Sequence, residues 1–374
     1  LTPPPVSINL RVILLGRHTL YHPLDQPDPD PSDLFKVLVD FDTEIERSDL
    51  SVEQYAGVIA RLVRDEGLQH FNRSAIAALA EHGARIASRQ GKITARFGRI
   101  ADIAREASYL ARKADSADVD RSHIEETVQR TKHRASLPSR RFQELINNTP
   151  IWVPVTGERA GQINGLAVIN AGNLIYGFPT RITATIGAGT AGVINIEDRA
   201  AMSGAIHTKG FQILGGLIRH LLRTDHPLAF SASITFEQSY GGIDGDSASG
   251  AEICCLLSAL TGVPLKQSIA MTGAIDQHGR VQAIGGVNEK IEGFFDTCVA
   301  SGLTGEQGVL IPASNAGDLM LRQDVVAACK EDRFHIYSVD RIQDALEILT
   351  GIPAGEVDED GEYPEGSLLA LAKK

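Results

Sequence analysis

The sequence predicts an all-α bundle of four helices followed by a larger α+β (mixed α/β) domain. Three observations carry that prediction. Residues 51–130 place apolar residues at helical spacing and show no strand pattern. Beyond residue 160, short runs rich in Val, Ile and Thr alternate irregularly with apolar-faced helical runs. The chain has 374 residues, more than one core usually serves, so more than one domain is expected.

The elements follow in order. LRVILLG (10–16) is a short apolar run ending in glycine and reads as a buried strand. HPLDQPDPDPSD (22–33) is rich in Pro and Asp and reads as a loop, and LFKVLVDF (34–41) as a second strand. SVEQYAGVIARLVRDEG opens on Ser51, and Ala56, Ile59, Ala60, Leu62 and Val63 recur behind it at helical spacing. NRSAIAALAEHGARIASRQG and ARFGRIADIAREASYLARKADS repeat that texture. DVDRSHIEETVQRTKHR makes a fourth helix, with Asp118 or Asp120 near its cap. ASLPSRRFQELINNTP (135–150) carries Pro138 and Pro150 and reads as a junction.

Strands are then expected in GLAVIN, RITATIG, GVINI, LAFSASITFE, QSIAMTGAI and GVLIP. Helices are expected over 207–223 and 247–262, and in GGVNEKIEGFFDTCVASG and RIQDALEILTG. The end, GEVDEDGEYPEGSLLALAKK, is acidic, then weakly helical, and reads as peripheral.

Composition narrows the function. Lys+Arg 36 against Asp+Glu 47 gives a net charge of -11, which argues against a sequence-independent nucleic-acid binder, because that needs a basic face. Cys254, Cys255, Cys298 and Cys329 show no C-x-x-C spacing. They read as free thiols in a reducing compartment rather than as disulfides or a zinc site. No charged-then-apolar leader opens the chain, and no apolar run approaches about 18 residues. A soluble cytoplasmic protein without a membrane partner is expected. The first residue is Leu rather than Met, which reads as a fragment.

YGGIDGDSASG (240–250) raises the question of chemistry. Ser247 sits where a strand passes through a Gly-rich turn into a helix, and serine there is commonly a helix cap. It is also where a nucleophile would sit. Gly241, Gly242 and Gly245 remove side chains that would block a substrate. Free N–H groups at the helix start could hold an oxyanion.

A serine nucleophile needs a base. Gly-Asp-Ser is similar to the chymotrypsin-like signature, but Ala248 and Ser249 stand where that family has Gly-Gly. The G-x-S-x-G elbow also fails, because Ser249 takes the last Gly position. His207, His220 and His278 remain as candidates, each with a plain reading as a surface or helix-edge histidine. Lys290 is the other candidate, just inside a helix after Gly285 and Gly286, near Ile284, Val287 and Ile291. A free lysine, with a pKa of roughly 10.4, cannot accept a proton at neutral pH. Desolvation can lower it to about 7–8, a workable base.

DGDSAS, followed 43 positions after its serine by the lysine of GGVNEK, resembles the proteolytic domain of the Lon protease family, which uses a Ser–Lys dyad. NGLAVIN (164–170), MSGAIHTKGFQILGGLIR (202–219), MTGAIDQHGRVQAIGGVNEK (271–290) and GVLIPASN (308–315) are similar to that domain in the same order. The helix form and the Asp at 246, where the A-type branch has Pro, resemble the B-type branch. The resemblance implies that Ser247 is the nucleophile and Lys290 the general base. It implies that Thr272 accompanies the lysine and fixes or relays its proton. Asp244 matches an acidic residue that contacts the lysine in some members and marks a gated site. The oxyanion donors would be the N–H of Ser247 and of Asp246 or Gly245.

Residues before 135 resemble the end of an AAA+ ATPase module, and TARFGRIADIAREA its lid helix with a sensor arginine, Arg96 or Arg99. No G-x-x-x-x-G-K-[ST] occurs in the sequence. The implied division is an AAA+ core remnant (1–45), a helical lid-like domain (46–135), a linker (136–160), a Lon-type proteolytic domain (161–352) and an acidic tail (353–374). The implied function is a serine endopeptidase of unfolded or damaged polypeptides, working through an acyl-enzyme and coupled to an AAA+ ATPase that is incomplete in this chain. No metal or cofactor is expected in this chain, ATP and Mg in the full-length protein, and self-association into a homohexameric ring. Two alternatives stand beside it: an ATP-independent Lon-like peptidase, and an inactive assembly or delivery module.

Overall fold

The computed structural model describes residues 9–16, 35–148, 151–171, 174–222 and 229–374. The loop expected over 22–33 lies outside them. The strands expected over 10–16 and 34–41 do not form in the residues described there. Their apolar side chains are exposed, Leu15 to 93%. A buried strand needs a neighbour for its backbone groups, and no ladder among the described residues includes these runs.

The bundle holds β1 (Glu44–Glu46), α1 (Asp49–Glu66), β2 (His70–Phe71), α2 (Arg73–Ala87), β3 (Lys92–Thr94), α3 (Phe97–Lys113), β4 (Asp118–Val119) and α4 (Arg121–Ala135). All four expected helices are present. The cap of α1 is Ser48, not Ser51: each serine hydroxyl accepts the other's backbone N–H, at 3.2 and 2.8 Å. Asn72 caps α2 and Asp120 caps α4. The bundle is not free of strand. β1 pairs antiparallel with β3, and β2 parallel with β4. These segments are two or three residues long, too short to show an alternating pattern. Tyr55, Leu79, Ile93, Ile100 and Ile124 form the core, and the Tyr55 hydroxyl donates to the carbonyl of Thr94.

The expected junction is itself helical. α5 (Leu137–Asn147) starts with proline in its first turn and packs Phe142 on Phe178 at 4.4 Å between ring centres. It belongs structurally to the domain that follows.

That domain continues with β5 (Glu158–Arg159), β6 (Gln162–Ala171), β7 (Leu174–Ala188), β8 (Gly192–Asn195), α6 (Ile196–Arg199), α7 (Ala205–Leu222), β9 (Phe230–Phe236), α8 (Ser249–Thr261), β10 (Leu265–Lys266), β11 (Ile269–Met271), β12 (Ala274–Ile275) and β13 (Val281–Gln282). Then come α9 (Val287–Ser301), β14 (Gly308–Pro312), α10 (Gln323–Lys330), β15 (His335–Val339), α11 (Ile342–Thr350) and α12 (Leu368–Lys373). Seven strands form one mixed sheet in the order β15-β14-β11-β6-β7-β9-β8. β6, β11, β14 and β15 pair in parallel, and β7 runs antiparallel to both β6 and β9.

Both faces of the sheet are covered. Ile269, Met271 and Leu310 point to one core with α7, α8, α11 and α12. Ala270, Val309 and Ile311 point to the other with α9 and α10. The alternation along β11 and β14 is the period-2 rule at work. The tail is not peripheral. Leu368 and Leu369 are fully buried in the first core, and the Tyr363 hydroxyl donates to the carbonyl of Leu221 at 2.9 Å.

Candidate active site

α8 and α9 lie on opposite faces of the sheet, and their first turns meet near the end of β11. That meeting builds the site. Ser247 precedes α8. Its side chain does not cap that helix, whose N-cap is Ala248, without a side-chain bond. The turn is held by Asp246, whose carbonyl accepts the N–H of Ser249 at 3.0 Å and its hydroxyl at 2.8 Å. Gly242 and Gly245 have φ of 77° and 94°, the left-handed region that favours glycine.

The turn after β11 is stitched to this loop. Gly273 N–H donates to Ser247 O at 2.8 Å, and Gly250 N–H to Gly273 O at 2.9 Å. A Cβ on Gly250 would lie 2.9 Å from Gly273 O and 2.7 Å from the Met271 methyl, so only glycine lets α8 approach this closely. Thr272, fully buried, is thereby fixed beneath Ser247 and donates its hydroxyl proton to Ser247 O at 3.2 Å.

Lys290 comes from the other side. Gly286 (φ 68°) turns the chain into α9, and its carbonyl accepts the Lys290 N–H at 2.9 Å. Lys290 is 2% exposed. Its amine donates to Ser247 Oγ at 2.8 Å and to Thr272 Oγ1 at 3.0 Å. Burial lowers its pKa from 10.5 to about 8, against the opposing pull of the Asp246 carboxylate. An amine near neutrality, in hydrogen-bond reach of a half-buried hydroxyl, can take that hydroxyl's proton.

The structure thus brings Ser247, Lys290 and Thr272 together. It does not bring Asp244 to the lysine. Asp244 Oδ1 instead accepts the N–H groups of Ile206 (3.1 Å), His207 (3.3 Å) and Gly245 (2.8 Å), holding the first turn of α7 against the loop. Those bonds lower its pKa, led by the one from Gly245. The Gly245 N–H is therefore occupied, which removes it as an oxyanion donor. The N–H groups of Asp246 and Ser247 have no acceptor among the described residues.

His207 lies beside the Ser247 loop, its ring bonded to the backbone of Gly245, but no histidine bonds Ser247 among the described residues. His207 is buried 3.3 Å from Asn195 Nδ2 and edge-on to Phe236, while His220 and His278 meet edge to face. Arg96 precedes α3 and Arg99 lies in its first turn, both exposed. Arg99 faces a cavity of about 830 Å³ between the bundle and the mixed domain. Cys254, Cys255 and Cys298 are buried free thiols, and Cys329 is half-buried. Among the described residues, no three His, Cys, Asp or Glu side chains are grouped to hold a metal, and no helix is long and apolar enough to cross a membrane.

Sequence reasoning missed the support of Lys290. A Cβ on Gly293 would lie 2.0 Å from Gly177 O, and one on Gly177 2.1 Å from Glu289 O. α9 therefore rests backbone to backbone on β7. Glycine three residues beyond the lysine was the signal within the helix; its partner on β7 was not legible.

Comparison with known proteins fits this architecture. Residues 238–351 match the family model of the Lon protease (S16) C-terminal proteolytic domain. Residues 70–134 match the archaeal LonB AAA+ ATPase LID domain, and residues 1–42 the LonB-like AAA domain. The chain is 35% identical to a putative Lon protease homolog of Escherichia coli (strain K12) over 352 residues, 93% of this chain and 59% of that protein. A putative Lon protease homolog of Haemophilus influenzae is also 35% identical, over 97% of this chain and 60% of that protein. The archaeal Lon protease of Thermococcus kodakarensis is 28% identical over 78% of this chain and 43% of that protein. The chain thus spans about six tenths of the length of the first two relatives. The chain carries a match to a LonB-type lid ahead of a match to a Lon-type proteolytic domain, and is similar to proteins of the Lon protease family.

Proposed function

We propose that this chain is a serine endopeptidase of unfolded polypeptides, with Ser247 as nucleophile and Lys290 as general base. The observation that carries the reading is the 2.8 Å contact between the Lys290 amine and Ser247 Oγ, made by a lysine that is 2% exposed. In the neutral amine the lone pair accepts the Ser247 proton as Oγ attacks the peptide carbonyl. The N–H groups of Ser247 and Asp246 are the donors left for the oxyanion. Lys290, now protonated, gives its proton to the leaving amine, and the C–N bond breaks to leave an acyl-enzyme on Ser247. Water then attacks the ester carbonyl, again with Lys290 taking the proton, and Ser247 is regenerated. Thr272 accepts from the amine and orients it.

A longer protein would couple this site to ATP hydrolysis, within a homohexameric ring in the cytoplasm. The chain contains no glycine-rich phosphate cradle with its lysine, so no ATP–Mg step is assigned to its residues. Arg96 or Arg99 is the proposed nucleotide sensor in that longer protein.

The test is cleavage of casein by the wild type, Ser247→Ala and Lys290→Ala, with and without ATP. Cleavage lost in both variants and indifferent to ATP is expected. Activity surviving in Ser247→Ala overturns the dyad, and stimulation by ATP overturns the absence of a working nucleotide site.

A further inference from the structure

We propose that Arg85 of the lid is a positioning residue for the Ser247–Lys290 pair, acting through Glu292 of α9. This deepens the peptidase reading and rests on it.

A cavity of about 830 Å³ separates the bundle from the proteolytic domain. His82, Arg99 and Lys132 line its lid side, and Tyr176, Phe178 and Glu289 its far side. At one edge the chain passes from α4 into α5. At another, Arg85 at the end of α2 crosses to α9. Its Nη1 lies 2.7 Å from Glu292 Oε1, and its Nη2 donates to Oε2 at 2.7 Å. Nη1 also donates to Met320 O at 2.5 Å, and Glu292 Oε1 accepts the Arg322 N–H at 2.9 Å. The side chains of Arg85 and Glu292 are 17% and 9% exposed, so water does little to screen this fork. Nearby, Gln90 Nε2 donates to Leu319 O at 2.9 Å, and Met320 packs on the lid core.

Glu292 and Lys290 are two residues apart on one helix, so their side chains leave it about 200° apart. One faces the lid while the other faces Ser247. Behind them α9 rests on β7 through the Gly177–Gly293 contact, which has no space to absorb a shift. A movement of the lid that carries Arg85 therefore pulls Glu292 and displaces the Lys290 amine from Ser247 Oγ. A group misplaced by about 1 Å can cost about 100-fold in rate, so small lid movements suffice.

The test is hydrolysis of a short fluorogenic peptide by the full chain, across pH. The variants are Arg85→Met, Arg85→Lys, Glu292→Gln and the double variant Arg85→Met/Glu292→Gln, each checked for folding by circular dichroism. Arg85→Met and Glu292→Gln should each lower kcat about tenfold, with KM nearly unchanged. Each should also move the pH limb expected near 8 for the wild type. Arg85→Lys, which keeps the charge without the fork, should fall between. The double variant should be no worse than the worse single one, because both remove the same link. A folded Arg85→Met with wild-type kcat and pH limb overturns the proposal. So does a fall in kcat with an unmoved limb and additive losses, which marks general loosening. Activity remaining in Ser247→Ala removes the dyad itself, a failure distinct from these two.

Discussion

The amine of Lys290, on one face of the central sheet, reaches the hydroxyl of Ser247, which opens a helix on the other face, at 2.8 Å. Neither segment builds this contact alone. The Thr272–Gly273 turn at the end of β11 holds both, bonding the Ser247 carbonyl and accepting from the lysine.

Peptide hydrolysis should rise with pH along a limb near 8, because Lys290, the proposed base, can accept a proton only when neutral. Asp246 favours the charged amine, so Asp246→Asn should move that limb to lower pH and raise relative activity at pH 7. A pH–kcat/KM profile of the two proteins checks this. A limb moving upward would mean that Asp246 acts on something other than the amine.

Lys290→Met should abolish activity yet stabilise the fold. The lysine pKa falls from 10.5 to about 8 on folding, so a buried charge opposes folding at pH 7 by roughly 3 kcal/mol. Below pH 8 both states carry the proton and the penalty is constant. Between pH 8 and 10.5 the unfolded chain holds a proton that the folded chain has lost, so wild-type stability rises with pH. Denaturant unfolding of both proteins from pH 7 to 10.5 should show the advantage of the variant shrinking.

The pairing was legible from the resemblance of DGDSAS and GGVNEK, in register, to the Lon proteolytic domain; the glycines beside each, Gly245 and Gly285–Gly286, announce tight turns but do not join the two segments. Asp244 was misplaced for a physical reason. Its partners are backbone N–H groups of residues 206 and 207, and backbone donors leave no mark in side-chain identity. Gly177 was hidden likewise, since a glycine inside an apolar run does not say which distant backbone it must admit. Leu368 and Leu369 were read as peripheral because the charged residues before them dominate the segment. The runs at 10–16 and 34–41 show the converse error: apolar texture alone does not supply a neighbouring strand.

Asp244→Ala should lower activity without moving the pH limb. Its carboxylate holds the start of α7 to the Ser247 loop and does not touch Lys290. A shifted limb would restore the lysine contact that the structure lacks.

Leu369→Ala should destabilise the proteolytic domain by about 3 kcal/mol, within the range of buried leucine truncations. The side chain is fully buried in the core shared by α7, α8 and α11. A change below about 0.5 kcal/mol, the range of ordinary surface substitutions, would return the tail to the periphery.

Gly293→Ala tests the seat of the helix that carries the lysine. The new methyl would lie 2.0 Å from Gly177 O, and backbone on both sides leaves no flexible group to yield. α9 must lift from β7, which costs about 1–3 kcal/mol by the measure of overpacked cores. Lifting α9 also carries the amine away from Ser247, so kcat should fall more than stability alone explains. Ala at Gly98, where a Cβ meets nothing within 4 Å, is the control and should leave both quantities near wild type. If Gly293→Ala lowers the melting temperature but leaves kcat intact in the folded protein, the seat on β7 serves stability and does not set the position of Lys290.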